Sequence, residues 1–287
     1  MKIAIVGAGR VATALAIKWL HAGHEIAVAT HLQGTRERHD AFLPDTPFMP
    51  AAEAAGRAEV VVLGVPDASI ARVCAALADE GALRRGQVVM HLSGAFGLEV
   101  LEAAGSAGAE TLALHPLQTF PTVESAIARM AGTPIAVTSS DEETASKGER
   151  LARDAEGEPF RLAEEVRPLY HAAAVFASNY LVSVTAQAES LFKAAGLPDP
   201  LEVFMPLARA SLENVATLGP EAALTGPVVR ADAVTVRRNL EALRERSPDA
   251  VAPYVALADL TLHLATHSGR LSEEGRAAIE GVLDEWR

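Results

Sequence analysis

The sequence predicts an α/β fold, a doubly wound and mostly parallel sheet, followed by an all-helical second domain. From residue 1 to about 160, short β-branched runs alternate with helical patterns, the signature of βαβ units. After Glu164 that alternation gives way to long helical stretches punctuated by Gly196-Leu197-Pro198, Leu218-Gly219-Pro220, Gly226-Pro227 and Ser247-Pro248. The length of 287 residues suits two domains of roughly 150 residues each. The boundary is expected near residue 165, giving domains 1–165 and 166–287.

The strands read from the sequence are Lys2–Val6, Glu25–Ala29, Val60–Leu63, Val88–His91, Thr111–Leu114 and Pro134–Val137. Val60-Val61-Val62-Leu63 is apolar without alternation, as expected of a strand covered by helices on both faces. Helices are expected over Arg10–His21, Asp67–Ala78 and Asp141–Arg153, with Asp67 as an N-cap and Ser139-Ser140-Asp141 supplying another. Pro168–Ala188 lacks Asp, Glu, Lys and Arg, but its His171, Ser178, Asn179, Ser183, Thr185 and Gln187 suit a buried protein helix better than a lipid-facing one.

Composition narrows the function. Asp plus Glu number 37 against 25 Lys plus Arg, a net charge of −12, which repels nucleic acid. An aromatic share of 5% argues against a platform for stacked bases. Cys74 is the only cysteine, so no intramolecular disulfide forms. The apolar start breaks at Gly7-Ala8-Gly9-Arg10 without a usable signal sequence, and a cytoplasmic protein is expected.

Gly7-Ala8-Gly9-Arg10-Val11-Ala12 follows the first strand and opens a helix, matching the G-x-G-x-x-G/A dinucleotide fingerprint in its required context. Gly7 permits the tight turn, Gly9 lets a diphosphate approach the backbone, and Ala12 keeps helix and strand close. The helix N-terminus adds partial positive charge. At the end of the second strand, where NAD-binding proteins carry an acidic residue, the sequence reads Ala29-Thr30-His31, with Arg36 and Arg38 just behind. NADP is therefore favoured over NAD. The alternative for the two arginines is an ordinary solvated patch. The backbone of Val65 and Pro66, past the third strand, is expected to line the cofactor.

These residues belong to a larger set. The fingerprint, Val65-Pro66-Asp67, His91-Leu92-Ser93-Gly94-Ala95, Leu114-His115-Pro116-Leu117-Gln118-Thr119-Phe120, His171 to Tyr180 and Leu224-Thr225-Gly226-Pro227 together resemble the Rossmann-like proteins that carry a C-terminal helical domain of unknown function. The resemblance spans nearly the whole chain. It implies a nicotinamide cofactor and kinship with the pyrroline-5-carboxylate reductases, deazaflavin-dependent NADP reductases and 6-phosphogluconate or 3-hydroxyisobutyrate dehydrogenases. Two departures stand out: Arg230-Ala231-Asp232 where the family pattern has Arg-Gly-Asp, and Asn239 where histidine is common. The Lys-x-x-Asn-Asn arrangement of the hydroxyacid dehydrogenases is also absent.

Hydride transfer at a C=O or C=N carbon needs a group that exchanges a proton with the heteroatom. His115, expected just past a strand, is one candidate, and a similar His-Pro pair after a similar serine occurs in prephenate dehydrogenases. Ser93 with the Gly94 N–H would hold a substrate oxygen or, equally, cap a helix. His171 and Ser178 differ by about 20° around an α-helix, with Val182 and Thr185 on that face and Asn179 flanking it. Gln118 and Arg230 complete the substrate candidates, Arg230 otherwise being a surface ion-pair partner. His263 and His267 have metal-ligand spacing without a third ligand, and no metal is expected. The reading is an NADP-dependent oxidoreductase acting on a small polar substrate between the domains. The alternatives are a non-catalytic NADP sensor or scaffold and a prephenate-dehydrogenase-like enzyme. The apolar helices Pro168–Ala188 and Pro253–Ala265 predict a homodimer through the helical half.

Overall fold

The computed structural model describes residues 1–29 and 33–287, without the side chains of 33–35. It divides into two compact units, Met1–Asn179 and Tyr180–Arg287. The division lies later than the change of composition near 165, because the first turns of the long helical stretch pack with the sheet.

The first unit runs β1 (Lys2–Val6), α1 (Arg10–His21), β2 (Glu25–Ala29), α2 (Gln33–Phe42), α3 (Ala51–Arg57), β3 (Val60–Leu63), α4 (Ile70–Asp79), β4 (Val88–His91), α5 (Glu102–Ser106), β5 (Glu110–Pro116), α6 (Val123–Arg129), β6 (Pro134–Ser139), α7 (Glu142–Asp154), β7 (Glu158–Arg161) and α8 (Arg167–Ala174). The seven strands lie in the order β2-β1-β3-β4-β5-β6-β7, all neighbours parallel except the antiparallel pair β5 and β6. Strand residues alternate between two cores, as a pleated strand buried on both faces must. Ile3, Ile5, Val60, Val62, Val88 and Met90 pack with Leu15 and Trp19 of α1 on one side. Ala4, Val6, Val61, Leu63 and Val89 pack with Ile70, Cys74 and Leu77 of α4 on the other. Trp19 is fully buried, and its indole N–H donates to Leu151 O at 2.8 Å, tying α1 to α7.

Several expectations shift. β7 went unread because Glu158-Pro159-Phe160-Arg161 is an edge strand with little apolar pattern. β5 is longer than expected and contains His115, which pairs with Ala136. Asp141 caps α7 as expected, accepting from Thr144 N at 2.9 Å. Asp67 does not cap: it opens a 3-10 turn, Asp67–Ser69, whose N-cap is Pro66 and which has no side-chain cap.

A π-helical segment, Val175–Tyr180, follows α8, and the units divide at its end. The second unit comprises α9 (Leu181–Ala194), α10 (Pro200–Leu218), α11 (Pro220–Ala223), α12 (Ala233–Arg246), α13 (Val251–His267) and α14 (Glu273–Asp284). Its core lies among α12, α13 and α14, around Val236, Leu240, Leu262, Ile279 and Leu283. By contrast α9 buries no residue, and α10 buries only Pro200 and Phe204. Among the described residues, no helix is long and apolar enough to cross a membrane.

Candidate functional site

The carboxyl ends of β1 and β3 meet in a corner built from three glycines. Gly7 turns the chain at φ +86°, a conformation glycine adopts without strain, and its N–H donates to Ala29 O at 2.8 Å. A Cβ on Gly7 would stand 2.5 Å from Val65 Cγ1, and one on Gly9 3.1 Å from Gly64 O. The tightest position is Gly64, where a Cβ would strike Gly7 O and come within 2.5 Å of Ala12 Cβ. Sequence reading passed over Gly64. The available signal was a glycine directly after the apolar strand, but only the adjacency of β1 and β3 shows what it meets.

Beside this corner lies a cavity of about 810 Å³. Gly7, Gly9, Arg10, Val11, Ala12, Val65, Pro66 and Ser93 line it, as do Gly64, Asp67, Arg38 and Arg72. Among the described residues no side chain caps α1, whose N-cap is Gly9. Ala8 is fully buried, its carbonyl accepting from Arg38 Nε at 2.7 Å. Arg36 is not part of the lining: its Nε donates to Asp40 Oδ1 at 3.0 Å, and its guanidinium lies 4.5 Å over the Phe48 ring. Thr30 and His31 lie outside the described residues.

Past β4 the polar side chains are committed to holding a loop. His91 is fully buried; its Nε2–H donates to Gly97 O at 2.8 Å and its Nδ1 accepts from Ser93 N at 3.1 Å. That arrangement requires a neutral ring, and burial lowers the His91 pKa to about 4. Ser93 Oγ donates to Asp67 Oδ2 at 2.7 Å and accepts from the N–H groups of Ala95 and Phe96 at 3.2 and 3.3 Å. Its one proton and two lone pairs are thus all engaged, and Asp67 serves as acceptor of that proton instead of as a cap.

The loop brings Gly94 against two imidazoles. A Cβ on Gly94 would lie 2.7 Å from His115 Nε2 and 2.9 Å from His171 Nδ1. His115 comes from β5 and His171 from α8, and their ring centroids are 6.4 Å apart. Among the described residues, His171 Nδ1 is buried without a hydrogen-bond partner. His115 Nδ1 is 2.9 Å from the Tyr170 hydroxyl. Burial, reinforced by Arg167, His171 and His91, lowers the His115 pKa to about 4, while burial raises that of Tyr170 to about 12. Near neutral pH the pair is an uncharged imidazole and an uncharged phenol, able to pass a proton without a standing charge. Tyr170 and Arg167 escaped the sequence reading because nothing in their spacing sets them apart.

The remaining candidates belong to other segments, where several are locally engaged. Gln118 is exposed, its Oε1 accepting from Thr119 N at 2.8 Å. Ser178 and Asn179 fall in the π-helical segment, whose wider turns displace them from the face that α-helical spacing gave them relative to His171. Thr185 returns its hydroxyl proton to Leu181 O at 2.7 Å. Arg230 is exposed in the second unit, shortly before Asp232, which caps α12 by accepting from Thr235 N at 3.0 Å.

Residues 1–116 match the Rossmann-like domain family, and residues 133–261 match DUF2520, a domain of unknown function. Among solved structures, the chain resembles a Bacteroides fragilis protein assigned as an NADP oxidoreductase, at 23% identity and TM-score 0.73, covering 90% of this chain and 96% of that one. It resembles an imine reductase of Myxococcus stipitatus, solved with NADP+, at 17% identity and TM-score 0.68, covering 100% and 99%. It also resembles a 1-pyrroline-5-carboxylate reductase of Streptococcus pyogenes, at 20% identity and TM-score 0.58, covering 92% and 98%. At these identities the likeness is one of fold. No curated protein matches the chain.

Proposed function

We propose that this chain, a Rossmann-like domain joined to a DUF2520 domain, is an NADP-dependent oxidoreductase. It would transfer a hydride to or from a C=O or C=N carbon of a small polar substrate. The observation that carries the reading is the Gly7–Gly9–Gly64 corner beside a cavity at the carboxyl ends of β1 and β3. A dinucleotide diphosphate needs this backbone access and an uncapped helix N-terminus, and any Cβ at Gly64 would close the corner. Structures of similar fold solved with NADP+ or NADPH bound favour the same cofactor.

In this reading Gly7, Gly9 and the first turn of α1 hold the diphosphate, Val65 and Pro66 border the dinucleotide, and Arg38, which lines the cavity with Arg10 and Arg72, is the one of the three that follows β2 and suits a 2′-phosphate. The nicotinamide, when bound, supplies or takes up the hydride. His115 exchanges the proton with the substrate heteroatom through Nε2, while Tyr170 orients the ring through Nδ1. His171 offers a second acceptor beside it. Ser93 fixes Asp67 and the loop that carries Gly94. The test is calorimetric titration of the purified protein with NADPH and NADH, followed by a screen of carbonyl, imine and hydroxyacid compounds. Binding of NADPH with turnover is expected. Absence of heat with either nucleotide at millimolar concentration overturns the reading, and tight binding without turnover makes the protein a sensor.

The part from residue 166 onward is proposed to serve the substrate side and a homodimer contact. Support comes from α9 and α10, where Val182 and Leu207 are each 67% exposed and Val203 is 59% exposed. Large apolar side chains gathered into one exposed patch are rarely left to water by monomeric proteins. Light scattering on a size-exclusion column should return twice the chain mass, and a monomer would refute the dimer.

A further inference from the structure

Arg167 has no exposed surface, yet among the described residues no carboxylate stands within ion-pair distance of it. Burying a guanidinium without an anion is costly, the more so when its donors are left unmet. They are met by two backbone carbonyls and a hydroxyl: Nε donates to Phe96 O at 2.6 Å, Nη2 to Ser93 O at 2.5 Å and Nη1 to Thr138 Oγ1 at 2.8 Å. The two carbonyls lie at either side of Gly94, the residue against which His115 and His171 converge. Thr138 belongs to β6 and passes its own proton to Leu162 O at 2.6 Å, so the anchor is fixed in turn. Arg167 opens α8, the helix that carries Tyr170 and His171.

We propose that Arg167 is a positioning residue for the candidate site, one guanidinium that locks the 93–96 loop to β6 and to the start of α8 while presenting an unneutralised charge to His115. The structural half of this stands on geometry alone; its bearing on turnover rests on the reading of His115 as the proton-exchanging group. Among the described residues, the groups facing His115 are His91 from β4 and Arg167, Tyr170 and His171 from α8, with no carboxylate in that set. A fixed cation in that company disfavours the imidazolium. Burial is the larger reason that His115 stays uncharged through the neutral range, and the Arg167 charge adds to it, in agreement with the lowered pKa.

The experiment is an NMR titration of His115 in the full-length protein, comparing wild type with Arg167→Lys, which keeps the charge, and Arg167→Gln, which removes it. The wild-type midpoint should lie near 4, remain there in Arg167→Lys, and rise by about one pH unit in Arg167→Gln. Amide exchange at 94–97 should quicken about tenfold in both variants as the grip on the loop is lost. A midpoint that moves equally in both variants, or in neither, overturns the charge role. If Arg167→Gln does not fold, the wild-type midpoint decides: a value near the ordinary 6.5 overturns it. Where a substrate is found, the pH profile of Arg167→Gln should shift with the midpoint. Total lack of turnover in the wild type would dismiss the reading of the site and leave the titration to judge Arg167.

Discussion

The glycine corner and the histidine cluster stand at the carboxyl ends of neighbouring strands, but they are made of opposite materials. At Gly7, Gly9 and Gly64 the proposed function comes from what is missing: no side chain intervenes, and the backbone itself forms the wall. At His91, Ser93, His115, Arg167 and Tyr170 it comes from side chains that hold one another in chosen protonation states. The first arrangement tolerates no added atom but is indifferent to pH. The second tolerates some repacking but depends on proton count and charge. Damage to one should therefore leave the other measurable.

The largest separation is expected from Gly64→Val, whose side chain strikes Gly7 O and Ala12 Cβ. Nucleotide binding should be lost by more than about a hundredfold, with about 3 kcal/mol or more of stability lost to overpacking. Calorimetry and a denaturant melt read the two effects separately, and unchanged NADPH affinity would break the contrast.

His115→Ala is the reciprocal change. Turnover of any substrate found should fall by about 10²- to 10⁴-fold, while nucleotide affinity stays within about twofold. Loss of nucleotide binding in this variant would show that the two corners are one site energetically.

Acid sharpens the comparison further. His91 and His115 have folded-state pKa values of about 4 against the ordinary 6.5. The unfolded chain therefore takes up protons first as pH falls. Stability contributed by the neutral rings is complete above 6.5, declines as the pH drops toward 4, and levels off below that. The size is of the order of 3 kcal/mol for fully buried His91. Melting temperatures measured from pH 7 to 4 should follow this course, and His91→Gln should flatten part of it; a decline of equal depth in the variant would remove His91 as the cause.

Ser93→Ala is the mildest test, removing a donor to Asp67 and an acceptor for two backbone N–H groups. A loss of about 1–3 kcal/mol is expected, with a wild-type pH profile. A shifted profile would make Ser93 a participant in proton transfer instead of a holder of the loop.

The order of strands and helices was legible in the sequence because it rests on local periodicity. Five strands and α1 begin where their patterns do, and the fingerprint at Gly7 announces itself by spacing and context. The unpatterned edge strand β7, the antiparallel turn of β6 and the π-helical segment were not legible, since each depends on what the element packs against. Asp67 was misread for the same reason. Local chemistry makes an aspartate after proline a helix cap, but Ser93, 26 positions away, claims its carboxylate.

By itself, then, the sequence determined a doubly wound sheet, a helical half and a glycine turn suited to a diphosphate, all matters of short-range sterics and burial. Only the tertiary structure decided that Gly64 completes that turn, that His115 meets Tyr170 and His171, and that Arg167 is buried beside them. Those contacts join segments far apart in the chain, and protonation in a low-dielectric interior depends on neighbours in space, about which residue spacing carries no information.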